Sequence, residues 1–171
     1  MKKYIKPYYY YYYYYYFYMA EKIGIRTATI VIKDNRLLLV NSKYSDGDYY
    51  LFPGGGLESN ETIEEGAIRE TLEETGVEIK IEKLIHINEF IYSNDWNKRS
   101  LTIFFLAKPI SIRKNNLTDD GGKIKQVEWV DISKLDEIDI RPRILADILM
   151  KAKGDFDTIS LNHSVDYKHE S

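Results

Sequence analysis

The stretch GGLESNETIEEGAIRETLEETGV, residues 55–77, joins the end of a glycine-rich loop to a strongly acidic segment. Thr62 followed three residues later by Glu65 forms a capping box, which predicts the start of a helix, and Gly76 is a stop signal. We therefore predict a helix over residues 63–75. The cluster Pro53-Gly54-Gly55-Gly56 before it predicts a loop with backbone angles that glycine adopts more readily than other residues.

Three glutamates are predicted to share one face of this helix. At about 100° per residue, Glu70, Glu73 and Glu74 fall within an arc of ~100°. Like charges at this spacing repel each other, and carboxylate oxygens suit Mg²⁺ or Mn²⁺ better than zinc. Gly66, one turn earlier, is expected to leave room for a metal and a substrate. The alternative is that these glutamates form a solvated acidic face. The adjacent glycine-rich loop favours a metal site over this alternative.

Apolar and β-branched runs around this segment predict a mixed sheet. The dipeptide Asp34-Asn35 predicts a hairpin turn between the first two strands. A closing helix is predicted over residues 142–153, with Ile144, Leu145, Ile148 and Leu149 on its buried side. Strands interspersed with helices predict an α/β fold in which helices cover the sheet. The predicted strands span residues 25–33, 37–43, 49–52, 78–92, 98–108 and 125–131.

The chain has 171 residues, which is enough for one domain. Its 24 basic and 27 acidic residues argue against a nucleic-acid partner, and the absence of cysteine suits a cytoplasmic protein. Tyr8–Tyr16 is an unbroken tyrosine run, which is too short for a membrane span. We set residues 1–18 apart as a low-complexity leader expected to be disordered, with self-association as its alternative role. Residues 19–154 form the predicted domain and residues 155–171 a polar tail.

The acidic stretch resembles the Nudix box, GX5EX7REUXEEXGU, where U is a bulky aliphatic residue. Thr71, at the first U, is its one departure from the pattern. The resemblance to MutT-like Nudix hydrolases implies an α/β/α sandwich with a Nudix helix after a glycine-rich loop. It also implies a Mg²⁺-dependent hydrolase of nucleoside diphosphate-linked compounds. The matching positions are Gly55, Glu61, Arg69, Glu70, Glu73, Glu74, Gly76 and Val77.

The resemblance also implies roles for individual residues. Glu73 and Glu74 would bind the metal directly, helped by the carbonyl of Gly54. Glu70 would be a further ligand or the base that activates water. Arg69 would complete the catalytic set by orienting these acids through paired hydrogen bonds. The structural positions of the box would be Gly55, Glu61 and Gly76.

Candidates outside the box concern the substrate, expected to be a nucleotide or another nucleoside diphosphate-linked small molecule. Arg26 and Lys43 could reach phosphate, and Tyr92 could stack on a base. A further acid could come from Asp119, Asp120 or Glu128, although the two aspartates also suit a simple turn. The oligomeric state stays open between monomer and homodimer.

Two other functions remain open. An RNA 5′-end pyrophosphohydrolase would share the chemistry, but the acidic net charge counts against it. A non-catalytic nucleotide-sensing domain would share the fold, but such a domain could lose its acids, whereas this chain keeps every glutamate of the box.

Overall fold

The computed structural model describes residues 22–44, 47–92, 98–113 and 124–168. Two short 3₁₀ turns, Ile132–Lys134 and Phe156–Thr158, lie among the main elements. The two helices of the described chain are α1 (Ile63–Thr75) and α2 (Arg143–Ala152). Its strands are β1 (Lys22–Lys33), β2 (Arg36–Tyr44), β3 (Gly47–Leu51), β4 (Gly54–Gly56), β5 (Val77–Tyr92), β6 (Lys98–Ile112), β7 (Ile124–Asp131), β8 (Ile140–Arg141) and β9 (Asn162–Lys168).

The strands form one mixed sheet, as predicted. Its order is β8-β3-β2-β1-β6-β5-β9, with β4 paired to β1 and β7 paired to β2. Strand β1 runs parallel to β6 and antiparallel to β2 and β4. The β1–β2 hairpin turns at Asp34 and Asn35, whose φ angles of 49° and 59° suit a type I′ turn. The prediction of a hairpin at this dipeptide is confirmed.

The sheet is covered on both faces, which confirms the α/β/α arrangement. Successive residues of β6 point to opposite sides: Phe104 joins the core cluster beneath α2, whereas Phe105 packs with Ala67 of α1. Strand β6 is therefore a buried central strand with apolar residues on both faces. The apolar side of α2 is narrower than predicted, because Leu145 and Leu149 are buried but Ile144 is 40% exposed.

The three glycines of the loop adopt strand geometry, so the prediction of unusual backbone angles there was wrong. Among the described glycines, positive φ occurs at Gly76 and Gly154. Gly54–Gly56 instead form β4, antiparallel to β1. A Cβ atom on Gly54 would lie 2.6 Å from the Cα of Ala28. Glycine is required here by the close approach of two backbones rather than by the backbone angles.

The segment 155–171, assigned from its composition to a polar tail, contributes to the fold over its described part. Ile159 lies in the core cluster beneath α2, and β9 runs parallel to β5 at the sheet edge. Ser164 donates a hydrogen bond to Asn88 (2.8 Å), and Asn88 donates one to Asp166 (3.1 Å). Hydrogen bonds between polar side chains help to hold β9 against β5, so the strand has little apolar signal in its sequence. Neither described helix is long and apolar enough to cross a membrane.

Candidate active site

Helix α1 begins and ends where the sequence predicts. The Glu65 amide donates to the Thr62 hydroxyl (3.2 Å), and the Thr62 amide donates to the Glu65 carboxylate (2.7 Å), which completes the capping box. At the other end Gly76 has φ 70° and its amide donates to the Leu72 carbonyl (2.9 Å). Both ends of α1 are therefore fixed by hydrogen bonds, which also fixes the backbone positions of its acidic residues.

Arg69 is the centre of the acidic cluster. Its Nε and Nη2 donate to the two carboxylate oxygens of Glu61 at 2.9 and 2.7 Å, a bidentate pair. Its Nη1 donates both to Glu70 (2.9 Å) and to Glu73 (3.1 Å), while Nη2 also reaches the carbonyl of Gly56 (3.1 Å). These contacts hold the loop after β4 and three acids in one arrangement.

The pair between Arg69 and Glu61 alters both titrations. The hydrogen bonds from Arg69, together with one from the Glu58 amide, lower the pKa of Glu61 to about 2. Hydrogen bonding to Glu61, and then to Glu70, raises the pKa of Arg69 above its ordinary value. Both groups are therefore charged across the physiological range, and their bidentate contact persists there.

Strand β4 contacts the acids directly. The Gly54 amide donates to Glu74 (2.9 Å), and the Gly54 carbonyl accepts from Nη2 of Arg26 (3.2 Å). A Cβ on Gly55 would overlap the carboxylate of Glu70. The absence of a side chain at Gly55 therefore lets Glu70 lie directly against the strand.

The space beside Gly66 is filled by protein, so the prediction that it leaves room for a metal was wrong. A Cβ there would lie 2.6 Å from Cδ2 of Leu57 and 2.9 Å from Oε1 of Glu61. Gly66 serves instead to let Glu61 approach the helix closely enough for its contact with Arg69.

Thr71, the departure from the box pattern, is fully buried and hydrogen-bonded. Its hydroxyl donates to the Ala67 carbonyl (2.7 Å) and lies 2.7 Å from the hydroxyl of Thr29 on β1. Because the only hydroxyl proton of Thr71 is used on Ala67, Thr29 must be the donor of the second bond. The pair links α1 to β1 at the position where an aliphatic residue would only pack.

The donor chemistry of the cluster fits a hard divalent cation. Its polar groups are carboxylate and carbonyl oxygens, and one oxygen each from Glu70 and Glu73 already converges on a single cationic nitrogen of Arg69. Glu74 lies at the amide of Gly54, next to the carbonyl expected to be a ligand. As they stand, no three acidic or imidazole groups of the described chain are grouped closely enough to hold an ion. The carboxylates would have to turn from Arg69 toward the cation.

The candidates outside the box are placed less closely together. Arg26 holds the Gly54 carbonyl, as described above. Glu128 accepts a hydrogen bond from the Tyr50 hydroxyl (3.0 Å). Burial is the main cause that raises the pKa of Tyr50, and the hydrogen bond to Glu128 is the next. Glu128 is paired with Leu39, which packs beneath α2, so it lies on that face of the sheet. The side chains of Lys43 and Tyr92, and the whole of Asp119 and Asp120, lie outside what the structure describes.

The polar residues on β1 were missed from the sequence. Thr27 and Thr29 are fully buried between apolar neighbours of the strand. Their alternation with Ala28 and Ile30 is the signal that distinguishes them, since it assigns them to the opposite face from the α2 core.

Comparison with known proteins shows which protein family the sequence of this chain matches. The model of the NUDIX domain matches residues 24–149. The protein called nucleoside diphosphate-linked moiety X motif 6 from Xenopus laevis is 28% identical over 119 residues, 69% of this chain and 54% of that protein. The chain thus spans about half the length of this relative. An 8-oxo-dGTP diphosphatase from Proteus vulgaris is 30% identical over 107 residues, 61% of this chain and 90% of that enzyme.

A solved structure shows the same fold. The NUDIX hydrolase from Nitrosomonas europaea aligns with a TM-score of 0.65 at 22% identity, covering 82% of this chain and 98% of the other. The fold of this chain therefore occurs in a solved structure whose sequence has diverged widely from it.

Proposed function

The chain belongs to the NUDIX domain family, and from that premise we propose that it is a hydrolase that cleaves a phosphoanhydride bond in nucleoside diphosphate-linked compounds, with Mg²⁺ as its cation. The observation that carries the proposal is the convergence of Glu70 and Glu73 on one cationic point beside β4. The names of the Xenopus and Proteus relatives support a substrate with a nucleoside attached to a phosphate chain. We place the activity in the cytoplasm.

Each residue would have a distinct task in this reaction. Glu73, Glu74 and the Gly54 carbonyl would hold the divalent cation, which when bound neutralises phosphate oxygens as a Lewis acid. Glu70 would share that role or accept a proton from the attacking water. Arg69 would keep the acids oriented through its contacts with Glu61.

The bonds of the reaction balance without a further reactant. The oxygen of water forms a bond to one phosphorus while the bond from that phosphorus to the bridging oxygen breaks. Glu70, as the base, accepts one proton from the water, and the leaving phosphate departs with the bridging oxygen. Both products therefore end in phosphate groups, and no oxidant or reductant is needed.

The test is a panel of substrates incubated with the protein and Mg²⁺, with released phosphate, pyrophosphate and nucleotide measured. The panel contains nucleoside triphosphates, 8-oxo-dGTP, ADP-ribose, dinucleoside polyphosphates and RNA with a 5′-triphosphate. Glu73→Gln is the matched inactive control, because it changes one charged oxygen on an exposed part of α1. Cleavage of a nucleotide by the wild type and not by Glu73→Gln supports the proposal. Binding without turnover would favour the nucleotide-sensing alternative, and cleavage confined to RNA would favour the 5′-end alternative.

A further inference from the structure

We propose that Thr27 is a positioning residue for Glu70, whose carboxylate accepts a hydrogen bond from the Thr27 hydroxyl when the site is loaded. This inference rests on the proposed function and deepens it. Thr27 is fully buried, and its hydroxyl has no hydrogen-bond partner among the described residues. A buried hydroxyl without a partner costs free energy that valine, of the same shape, would not. Packing alone therefore gives no reason for the hydroxyl at this position.

The strand register places Thr27 beside Glu70. Thr27 lies directly opposite Gly55 in the antiparallel β1–β4 pair. Residues opposite each other in such a pair point to the same face, with Cβ positions about 4.5–5.5 Å apart. A Cβ atom added to Gly55 would overlap the carboxylate of Glu70. The Thr27 side chain and the Glu70 carboxylate are therefore neighbours on the face covered by α1.

A second contact independently assigns Thr27 to this face. Thr29 is two residues along the same strand, so its side chain points to the same side of the sheet. Its hydroxyl is hydrogen-bonded to Thr71 of α1 at 2.7 Å. Thr27 therefore also lies beneath α1, on the side from which the acidic residues approach β4.

In the described structure Thr27 and Glu70 share no hydrogen bond, and the Glu70 carboxylate is held by Arg69 instead. Oε1 of Glu70 accepts from Nη1 of Arg69 (2.9 Å), a nitrogen that Glu73 also contacts (3.1 Å). A divalent cation would compete with that nitrogen for the same carboxylate oxygens. When Glu70 gives up its bond to Arg69, Thr27 becomes a buried donor beside it, able to fix the orientation of the carboxylate.

Three variants separate this role from simple packing. Thr27→Val removes the hydroxyl and keeps the shape, while Thr27→Ser keeps the hydroxyl. Thr29→Val is the matched control, since it removes a hydroxyl that already has a partner on the same face of the same strand. For each variant, kcat and KM are measured with a nucleotide that the wild type cleaves, and thermal stability is measured without metal.

We expect Thr27→Val to equal or exceed the wild type in metal-free stability and to lose about ten- to a hundredfold in kcat, the loss expected for one hydrogen bond to a charged group. KM should change little, and Thr27→Ser should restore most of kcat. Thr29→Val should show the reverse, a lower melting temperature with kcat nearly kept.

Three results would overturn the inference. If Thr27→Val retains the kcat of the wild type, the hydroxyl has no role in the reaction, although the proposed function stands. If Thr27→Val and Thr27→Ser lose kcat equally, the loss comes from packing. A wild type that cleaves none of the substrates would refute the proposed function and this inference with it.

Discussion

Replacing Thr71 with valine restores the aliphatic residue of the box pattern, yet we expect it to destabilise the protein. The reason lies in the Thr29–Thr71 pair beneath α1. Thr71 accepts the hydroxyl proton of Thr29 at 2.7 Å, and both residues are fully buried. Thr71→Val would leave the Thr29 donor without this partner in a site closed to water.

The magnitude follows from two opposing contributions. A buried donor left without a partner costs about 1–3 kcal/mol, and the added methyl group returns up to about 1 kcal/mol of hydrophobic free energy. We expect a net loss of about 1–2 kcal/mol in the free energy of unfolding, which for a chain of this length lowers the melting temperature by ~2–8 °C. Thr29→Val alone should cost less, because Thr71 keeps its bond to the Ala67 carbonyl.

The double variant Thr29→Val/Thr71→Val completes the test. Replacing both partners by apolar groups of the same shape can be nearly neutral, so the double variant should be more stable than Thr71→Val alone. Urea unfolding of the four proteins, followed by circular dichroism, gives the coupling free energy. The reasoning would be refuted if Thr71→Val were as stable as the wild type, or if the two substitutions were simply additive.

Three further outcomes can be checked on the same protein. Glu73→Gln should abolish nucleotide cleavage while its circular dichroism spectrum stays that of the wild type, and Glu64→Gln, on the exposed first turn of α1, should keep full activity in the same assay. The pKa of Glu61 lies at about 2 in the folded protein against an ordinary 4.5, so its stabilising contribution is complete above pH 4.5 and is lost as the pH falls toward 2. Urea unfolding should therefore show the wild type more stable than Glu61→Gln at pH 6, and the difference in the free energy of unfolding should be smaller at pH 2.5. A difference that stays constant with pH would contradict this account. Truncation after Gly154 removes the buried Ile159 and β9, and should lower the melting temperature measured by calorimetry; an unchanged value would mean that the edge strand adds nothing to stability.

The sequence predicted the helix and the hairpin accurately because their signals are local. The capping box of α1 involves Thr62 and Glu65, and the stop signal is one residue, Gly76. The hairpin turn likewise depends on two residues, Asp34 and Asn35. Such signals act over three or four positions and need no knowledge of the rest of the fold.

The errors concern contacts between distant parts of the chain. Gly54 was expected to adopt unusual angles, but its role depends on Ala28, 26 residues earlier, whose backbone it approaches. Gly66 was expected to border open space, but Leu57 and Glu61 fill it. Composition suggested that the segment with Ile159 was a tail, since a single buried residue and an edge strand leave little apolar signal. A glycine in sequence shows that a side chain is absent without showing what takes its place.

The charges around Arg69 explain why a divalent ion suits this cluster. Glu61, Glu70 and Glu73 all contact the guanidinium group of Arg69, so three carboxylates share one positive charge. A divalent cation would offset more of the remaining negative charge than a monovalent ion, before an anionic substrate binds. Arg69 meanwhile reduces the repulsion among the acids in the metal-free protein, because it contacts three of them at 2.7–3.1 Å. Binding of the proposed cation would then exchange one cationic partner for another at the oxygens of Glu70 and Glu73, with the carboxylates turning from Arg69 toward the ion.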